Sequence, residues 1–232
     1  MGERADTRCL AEIHQIHNNT GKLYHPGGFD KPDASTTVKP GPGGGKNIKT
    51  SRTPRTVRTG KRKKMRVREA TLDDLPGIVG IYNSTVPGRV ATADTEPVSV
   101  ETRRGWFLDR DARRPVWVAE PGTEAACGAP AGWIALGDFH PRPAYHATAE
   151  VAVYIAEEWR GAGVGRLLVG EAVRHGRGLG IRTLIAGIFA HNEASLGLFQ
   201  SFGFSRWAHM PRVAEMDGVE RDLVYLGLRL AG

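Results

Sequence analysis

No apolar run in this chain of 232 residues approaches the roughly 20 residues that a membrane helix needs. The N-terminus has no apolar h-region, which argues against a secretory signal. Cysteine is nearly absent: Cys9 and Cys127 are too few for a disulfide framework or, by themselves, a metal cluster. These shortages point to a reduced, cytoplasmic protein without a metal and away from a membrane. Its length fits one compact domain with something left over.

What is left over shows in the charge. The formal charge is +7, but residues 1–64 hold 14 Lys and Arg against 5 Asp and Glu, while the rest holds 18 against 20. The basicity therefore belongs to the first quarter of the chain. That quarter carries Pro40-Gly41-Pro42-Gly43-Gly44-Gly45 and the run Lys61-Arg62-Lys63-Lys64, and its apolar residues follow no period of two or of 3.6. Such a segment buries too little apolar surface to offset about 1–2 kcal/mol of backbone entropy per residue. It reads as a disordered extension, with the ordered domain spanning 65–232.

Sharper readings of the extension fit poorly. Gly45-Lys46 resembles the end of a phosphate-binding loop, yet Pro40 stands where its leading glycine belongs and Asn47 replaces the Ser or Thr. Cys9, His14, His17 and His25 lack a second cysteine pair for zinc. Nucleic acid could bind through counterion release, but no interleaved aromatics offer base stacking. Any nucleic-acid contact is expected through residues 1–64 alone. Met65 opens a strand-like pattern abruptly, so the upstream stretch reads as a dispensable extension or a leader ahead of the true start.

Beyond it, short elements alternate. Val67–Ala70 suits a strand. Thr71 and the acids Asp73 and Asp74 open a helix whose apolar face is Leu75, Ile78, Val79 and Tyr82. A second helix is expected over Val98–Asp109, and strands over Pro115–Ala119, Ala131–Leu136 and Thr148–Ile155. Val164 to about Leu179 reads as a long helix with Val164, Leu167, Leu168 and Ala172 buried, ended by Gly178 and Gly180. The continuous apolar stretch Thr183–Phe189 reads as a buried strand, followed by a helix over Glu193–Ser201 and two more strands. Strand, glycine loop, helix and buried strand make one parallel βαβ unit within a mixed, mostly antiparallel α/β sheet.

The glycine loop Arg160-Gly161-Ala162-Gly163-Val164-Gly165-Arg166 is the most informative stretch. Missing side chains let a diphosphate approach backbone amides at a helix N-terminus, whose partial positive charge favours the anion. A dinucleotide-binding fingerprint fits badly, because Glu157-Glu158-Trp159-Arg160 separates strand from glycines and the spacing is Gly-x-Gly-x-Gly.

Arg160-x-x-Gly163-x-Gly165, between a Val-Tyr-Ile strand and a Leu-Leu helix, resembles the acetyl-CoA motif of the GCN5-related N-acetyltransferases (GNAT). Asn192-Glu193-Ala194-Ser195 and Gly203-Phe204 extend the likeness through nearly all of 66–230. Ile81-Tyr82-Asn83-Ser84, Thr92–Pro97, Phe139-x-x-Arg142-x-Ala144-Tyr145 and Thr148-x-Glu150-x-x-x-Tyr154 are similar to the phosphinothricin/methionine sulfone acetyltransferases. The resemblance implies a GNAT fold with helices on both faces, acetyl-CoA as cosubstrate, a small amino-acid-like amine as acceptor, and a homodimer. It further implies that Val153, Tyr154 and Ile155 bond the pantetheine arm and acetyl carbonyl through their backbones. Arg160, Gly161, Ala162, Gly163, Val164, Gly165 and Arg166 would cradle the pyrophosphate, and Asn192 and Ser201 would complete the cofactor site.

Acetyl transfer needs a base, since an α-ammonium must lose a proton before it attacks. Glu150, a charge among Ala149, Val151 and Ala152, suits this role if burial lifts its pKa towards the operating pH. A backbone N–H at Tyr154 or Ile155 would steady the developing oxyanion. Arg142 offers a fork for the substrate carboxylate, and Tyr145 would wall the pocket. Tyr82 reads as helix core, and Cys127 as inert. Phe199 stands where relatives carry a proton-donating Tyr, and His140 and Ala93 also depart from the pattern. Alternative readings are acetylation of another small amine or a protein N-terminus, or a non-catalytic acetyl-CoA-binding module.

Overall fold

The computed structural model describes residues 65–122 and 129–230. The expected disorder of 1–64 and inertness of Cys127 fall outside them. Strands β1 (Met65–Glu69), β2 (Val116–Pro121), β3 (Gly132–Asp138), β4 (Thr148–Ile155), β5 (Thr183–Phe189), β6 (Ser205–Met216) and β7 (Val219–Arg229) form a single sheet. Its order is β1-β2-β3-β4-β5-β7-β6. Only β4 and β5 run parallel among these pairs. The mixed, mostly antiparallel sheet with one parallel βαβ unit is therefore the architecture found.

Helices α1 (Leu75–Thr85) and α2 (Val100–Leu108) cover one face, and α3 (Val164–His175) and α4 (Glu193–Gln200) the other. Thr71 and Asp74 close a reciprocal capping box ahead of α1, satisfying donors that the first turn would otherwise leave free. Its four expected face residues, Leu75, Ile78, Val79 and Tyr82, are all buried. The second helix starts at Val100 rather than Val98, because the Ser99 side chain accepts the Thr102 amide and sets the cap there.

The expected end of α3 is corrected too. The helix stops at His175, and Gly176 caps it. A side chain at Gly176 would meet the Ala172 carbonyl and Leu230 at 2.9 Å, and the Ile181 amide returns to the Gly176 carbonyl. Within α3, Val169 joins Val164, Leu168 and Ala172 in the core, while Leu167 is only half-buried. The larger core lies under α3 and α4, around Ile134, Leu136, Val151, Leu184, Ala186 and Leu226. On the opposite face, Ile78, Tyr82, Val118 and Trp133 pack together. α1 reaches β3 and β4 there, while β5 leaves Gly187 exposed in an otherwise buried strand.

Candidate active site

The parallel pair that organises the site is short. β4 and β5 are in register only at Thr148–Thr183, Ala149–Leu184 and Glu150–Ile185, although both strands continue for several residues. Past Glu150 they separate. The Ala147 carbonyl accepts the Arg182 and Thr183 amides on the β5 side. The Ala156 amide bonds Ala131 on the β3 side, where the Tyr154 carbonyl also lies against Gly132. Peptide groups alternate along a strand, so those of Val153 and Ile155 face the gap. Tyr154 is different: its amide faces β3. Its ring stacks on Trp133 at 4.6 Å and meets Tyr82 edge-on at 5.1 Å, and burial pushes its phenol pKa up.

At the mouth of the gap the chain turns through Arg160 to Gly163 into α3. Gly161 and Gly163 adopt φ of +73° and +89°, the left-handed region that glycine enters at least cost. Neither would bring a Cβ within 4 Å of another group, so the ground above them is open. The first helical turn bonds from Leu167 back to Gly163, leaving the Val164, Gly165 and Arg166 amides without intrahelical acceptors. Val164 is buried and Ala162 exposed. Gly165 serves packing, since a side chain there would come to 3.0 Å from Leu198 of α4.

The structure gives Asn192 and Ser201 partners of their own. Asn192 caps α4 by accepting the Ser195 amide and donates to the Val90 carbonyl, tying the loop after α1 to the end of β5. The Ser201 hydroxyl donates to Leu198 and accepts from Arg166 Nη1 at 3.0 Å, and the Arg166 guanidinium lies over Phe202. Phe199 is buried against Phe204 and has no proton to give.

Glu150 stands at the root of the gap, half-buried. Desolvation raises its carboxyl pKa above the ordinary value, and among the described residues its side chain has no hydrogen-bond or ion-pair partner. On β3 it is opposite Gly137; towards β7 it looks across Gly187 to Tyr225. Phe139 meets Tyr225 at 90° and 6.5 Å and Tyr145 at 5.8 Å, and Tyr145 in turn touches His140. An aromatic wall thus runs from beside Glu150 to the β3–β4 loop, where Arg142 and Tyr145 are exposed. Tyr82 is helix core, its hydroxyl bonded to Thr92 and Asp94, with its pKa pushed up to about 12 chiefly by burial.

Sequence reasoning missed Gly137, Gly187 and Tyr225. A glycine inside a buried strand signals close approach of another group, so Gly187 was detectable; Tyr225 beside it required the β5–β7 register. Among the described residues no cluster of His, Cys, Asp and Glu could hold a metal, and no helix is long and apolar enough to cross a membrane.

Comparison with known proteins gives a consistent picture. The sequence pattern of the acetyltransferase (GNAT) family matches residues 78–204. YwnH of Bacillus subtilis, provisionally named a phosphinothricin acetyltransferase, is 48% identical over 167 residues, 72% of this chain and 100% of that protein. An L-methionine sulfoximine/L-methionine sulfone acetyltransferase of Pseudomonas aeruginosa is 34% identical over 166 residues, 71% of this chain and 94% of its own. The crystal structure of a phosphinothricin acetyltransferase from Sinorhizobium meliloti in complex with acetyl-CoA superposes with a TM-score of 0.64 at 29% identity, covering 72% and 88% of the two chains.

Proposed function

Because the chain belongs to the acetyltransferase (GNAT) family, we propose that it transfers an acetyl group from acetyl-CoA to the amine of a small amino acid or analogue. The observation that carries this reading is the gap between β4 and β5, with unpaired peptide groups on one edge and an unpartnered, desolvated Glu150 at its root.

The residues suit the cosubstrate. A diphosphate fits the open ground over Gly161 and Gly163, where the amides of Val164, Gly165 and Arg166 point outwards and Arg160 and Arg166 add positive charge. The peptide groups of Val153 and Ile155 are free to bond a pantetheine chain as an added strand would. Asn192 keeps one amide hydrogen for the same arm, and Ser201 holds Arg166 in place. Acetyl-CoA supplies an activated thioester.

Glu150 takes the proton from the acceptor's ammonium, directly or through a water. Its raised pKa makes it a stronger base than an exposed carboxylate and brings it closer to the operating pH. The Ile155 amide faces the gap and is the donor for charge developing on the acetyl oxygen; the Tyr154 amide is committed to β3. No covalent acyl-enzyme is needed. With Phe199 in the core, water or the thiolate's own stability replaces an acid at that position. Arg142, which has no ion pair among the described residues, holds the acceptor's carboxylate, and Tyr145 closes that side.

The edge strand β6 leaves Trp207 48% and Val213 50% exposed, and Val219 at the start of β7 is 47% exposed. An apolar edge of this kind invites pairing and supports a homodimer, which light scattering would report as twice the chain mass. The scarcity of cysteine, with only Cys9 and Cys127, fits a reducing, cytoplasmic setting.

The test is an assay of acetyl-CoA consumption against a panel of amino acids, L-methionine sulfone, L-methionine sulfoximine and phosphinothricin. Saturable, amine-dependent release of CoA is expected with at least one. Tight acetyl-CoA binding without turnover on any amine would overturn the enzymatic reading.

A further inference from the structure

Gly187 is the one exposed position in the middle of β5. Register sets it opposite Tyr225 of β7. A methyl group built on it would stand 3.2 Å from Tyr225 Cε1 and 3.6 Å from Glu150 Oε1. On the other side of Glu150, a methyl on Gly137 would meet nothing within 4 Å. Bare backbone therefore borders the carboxylate on both neighbouring strands, and Gly187 itself is exposed.

Gly187 lies outside the left-handed region, so backbone conformation does not call for glycine there. The space does. Tyr225 is braced by Phe139, which is itself braced by Tyr145, so a methyl at Gly187 would take its room chiefly from the hollow and not from a ring free to swing away.

Resting on the reading of Glu150 as the base, we propose that Gly187 is a specificity-determining residue. Its missing side chain forms the floor on which the acceptor's own side chain lies, between Glu150 and Tyr225. That floor admits α-amino acids carrying several heavy atoms beyond the α-carbon, whereas a floor raised by one carbon restricts the site to the smallest acceptors.

The experiment compares the full-length chain with Gly187→Ala and with Gly187→Ala/Tyr225→Ala, using L-alanine, L-methionine sulfone and L-phenylalanine as acceptors. For Gly187→Ala, kcat/KM with the two larger acceptors should fall by about tenfold or more, the scale of one misplaced carbon in a pocket. L-Alanine should lose less than about threefold on the same reasoning, and acetyl-CoA affinity measured by calorimetry should not change. Removing the Tyr225 ring in the double variant should restore the larger acceptors relative to L-alanine. Equal loss with every acceptor, no loss with any, or no relative restoration would overturn the proposal. A wild-type chain that binds acetyl-CoA but acetylates no amine of the wider panel would overturn the acetyl-transfer reading beneath it, whereas one that acetylates a panel amine but neither L-methionine sulfone nor L-phenylalanine would overturn this proposal.

Discussion

Asp74, at the entrance to α1, and Glu150, in β4, are carboxylates in regions built by opposite rules. Asp74 receives both Nη atoms of Arg68 at 2.7 and 2.8 Å and the Thr71 amide at 2.7 Å. Glu120 completes the cluster by gripping Arg66 and Arg68. The Arg68 hydrogen bonds hold the Asp74 carboxyl below the ordinary carboxylate range despite partial burial. Glu150 is half-buried with no ion pair to a cation among the described residues, and desolvation drives its pKa the other way. Where burial comes with a partner, the charge fastens β1 to the start of α1. Where burial comes without one, the group is held in a state that favours taking up a proton, and an enzyme can use that.

The strongest way to sharpen this contrast is Glu150→Gln. Turnover on the best amine should fall by about 10²–10⁴ near neutral pH, the contribution of a positioned general base, with acetyl-CoA affinity preserved. The deficit should shrink as pH nears the amine's own pKa, because deprotonated amine then arrives unaided. Stability should move oppositely. A raised folded-state pKa means that the folded chain binds more protons than the unfolded one between the two pKa values, so stability falls as pH rises through that window. Glu150→Gln should therefore melt higher than wild type above the folded pKa, and the difference should vanish below the unfolded value. Scanning calorimetry across pH checks the sign.

Gly163→Val addresses the phosphate side of the gap. A branched residue at φ +89° is strained by about 1–3 kcal/mol and fills the open ground where the diphosphate is proposed to lie. Acetyl-CoA affinity should drop by about tenfold or more, read by calorimetry on a variant shown to be folded by circular dichroism. Unchanged affinity would remove the glycine loop from the site.

Smaller still is Arg142→Ala. Loss of a charge-assisted fork should raise KM for an α-amino acid by roughly tenfold and leave acetyl-CoA affinity alone. An amine without a carboxylate should be unaffected. If both amines suffer equally, Arg142 supports the loop and does not bind the carboxylate.

Asp74→Asn should leave turnover intact. At neutral pH it should cost about 1–2 kcal/mol of stability through the lost ion pair and cap. A depressed folded pKa contributes stability above the unfolded value and loses it as pH falls through the folded value. The gap between wild type and variant should therefore close only at strongly acidic pH. Urea titrations at neutral and acidic pH would show it.

The sequence made much of this legible. β4 and β5 have the bounds Thr148–Ile155 and Thr183–Phe189 that alternation and a continuous apolar run imply, because strand periodicity is local. Helix ends were less legible. α3 stops at His175, and the Leu230 side chain that crowds Gly176 there comes from more than fifty residues away in sequence. The distant partners of Asn192 and Ser201, the Val90 carbonyl and Arg166, were illegible for the same reason, as was the direction of the Tyr154 amide, which follows from β3 lying on that particular edge.

The sequence alone determined the alternation of strands and helices, the glycines that the turn into α3 requires, and the presence of an acid on an apolar strand, since each depends on neighbours within a few residues. Tertiary structure decided that β4 and β5 part after Glu150, that Val153 and Ile155 face the opening, and that Gly187 and Tyr225 meet beside the carboxylate. Those outcomes depend on which strands pair and in what register, and pairing is a contest among distant segments that local pattern does not encode.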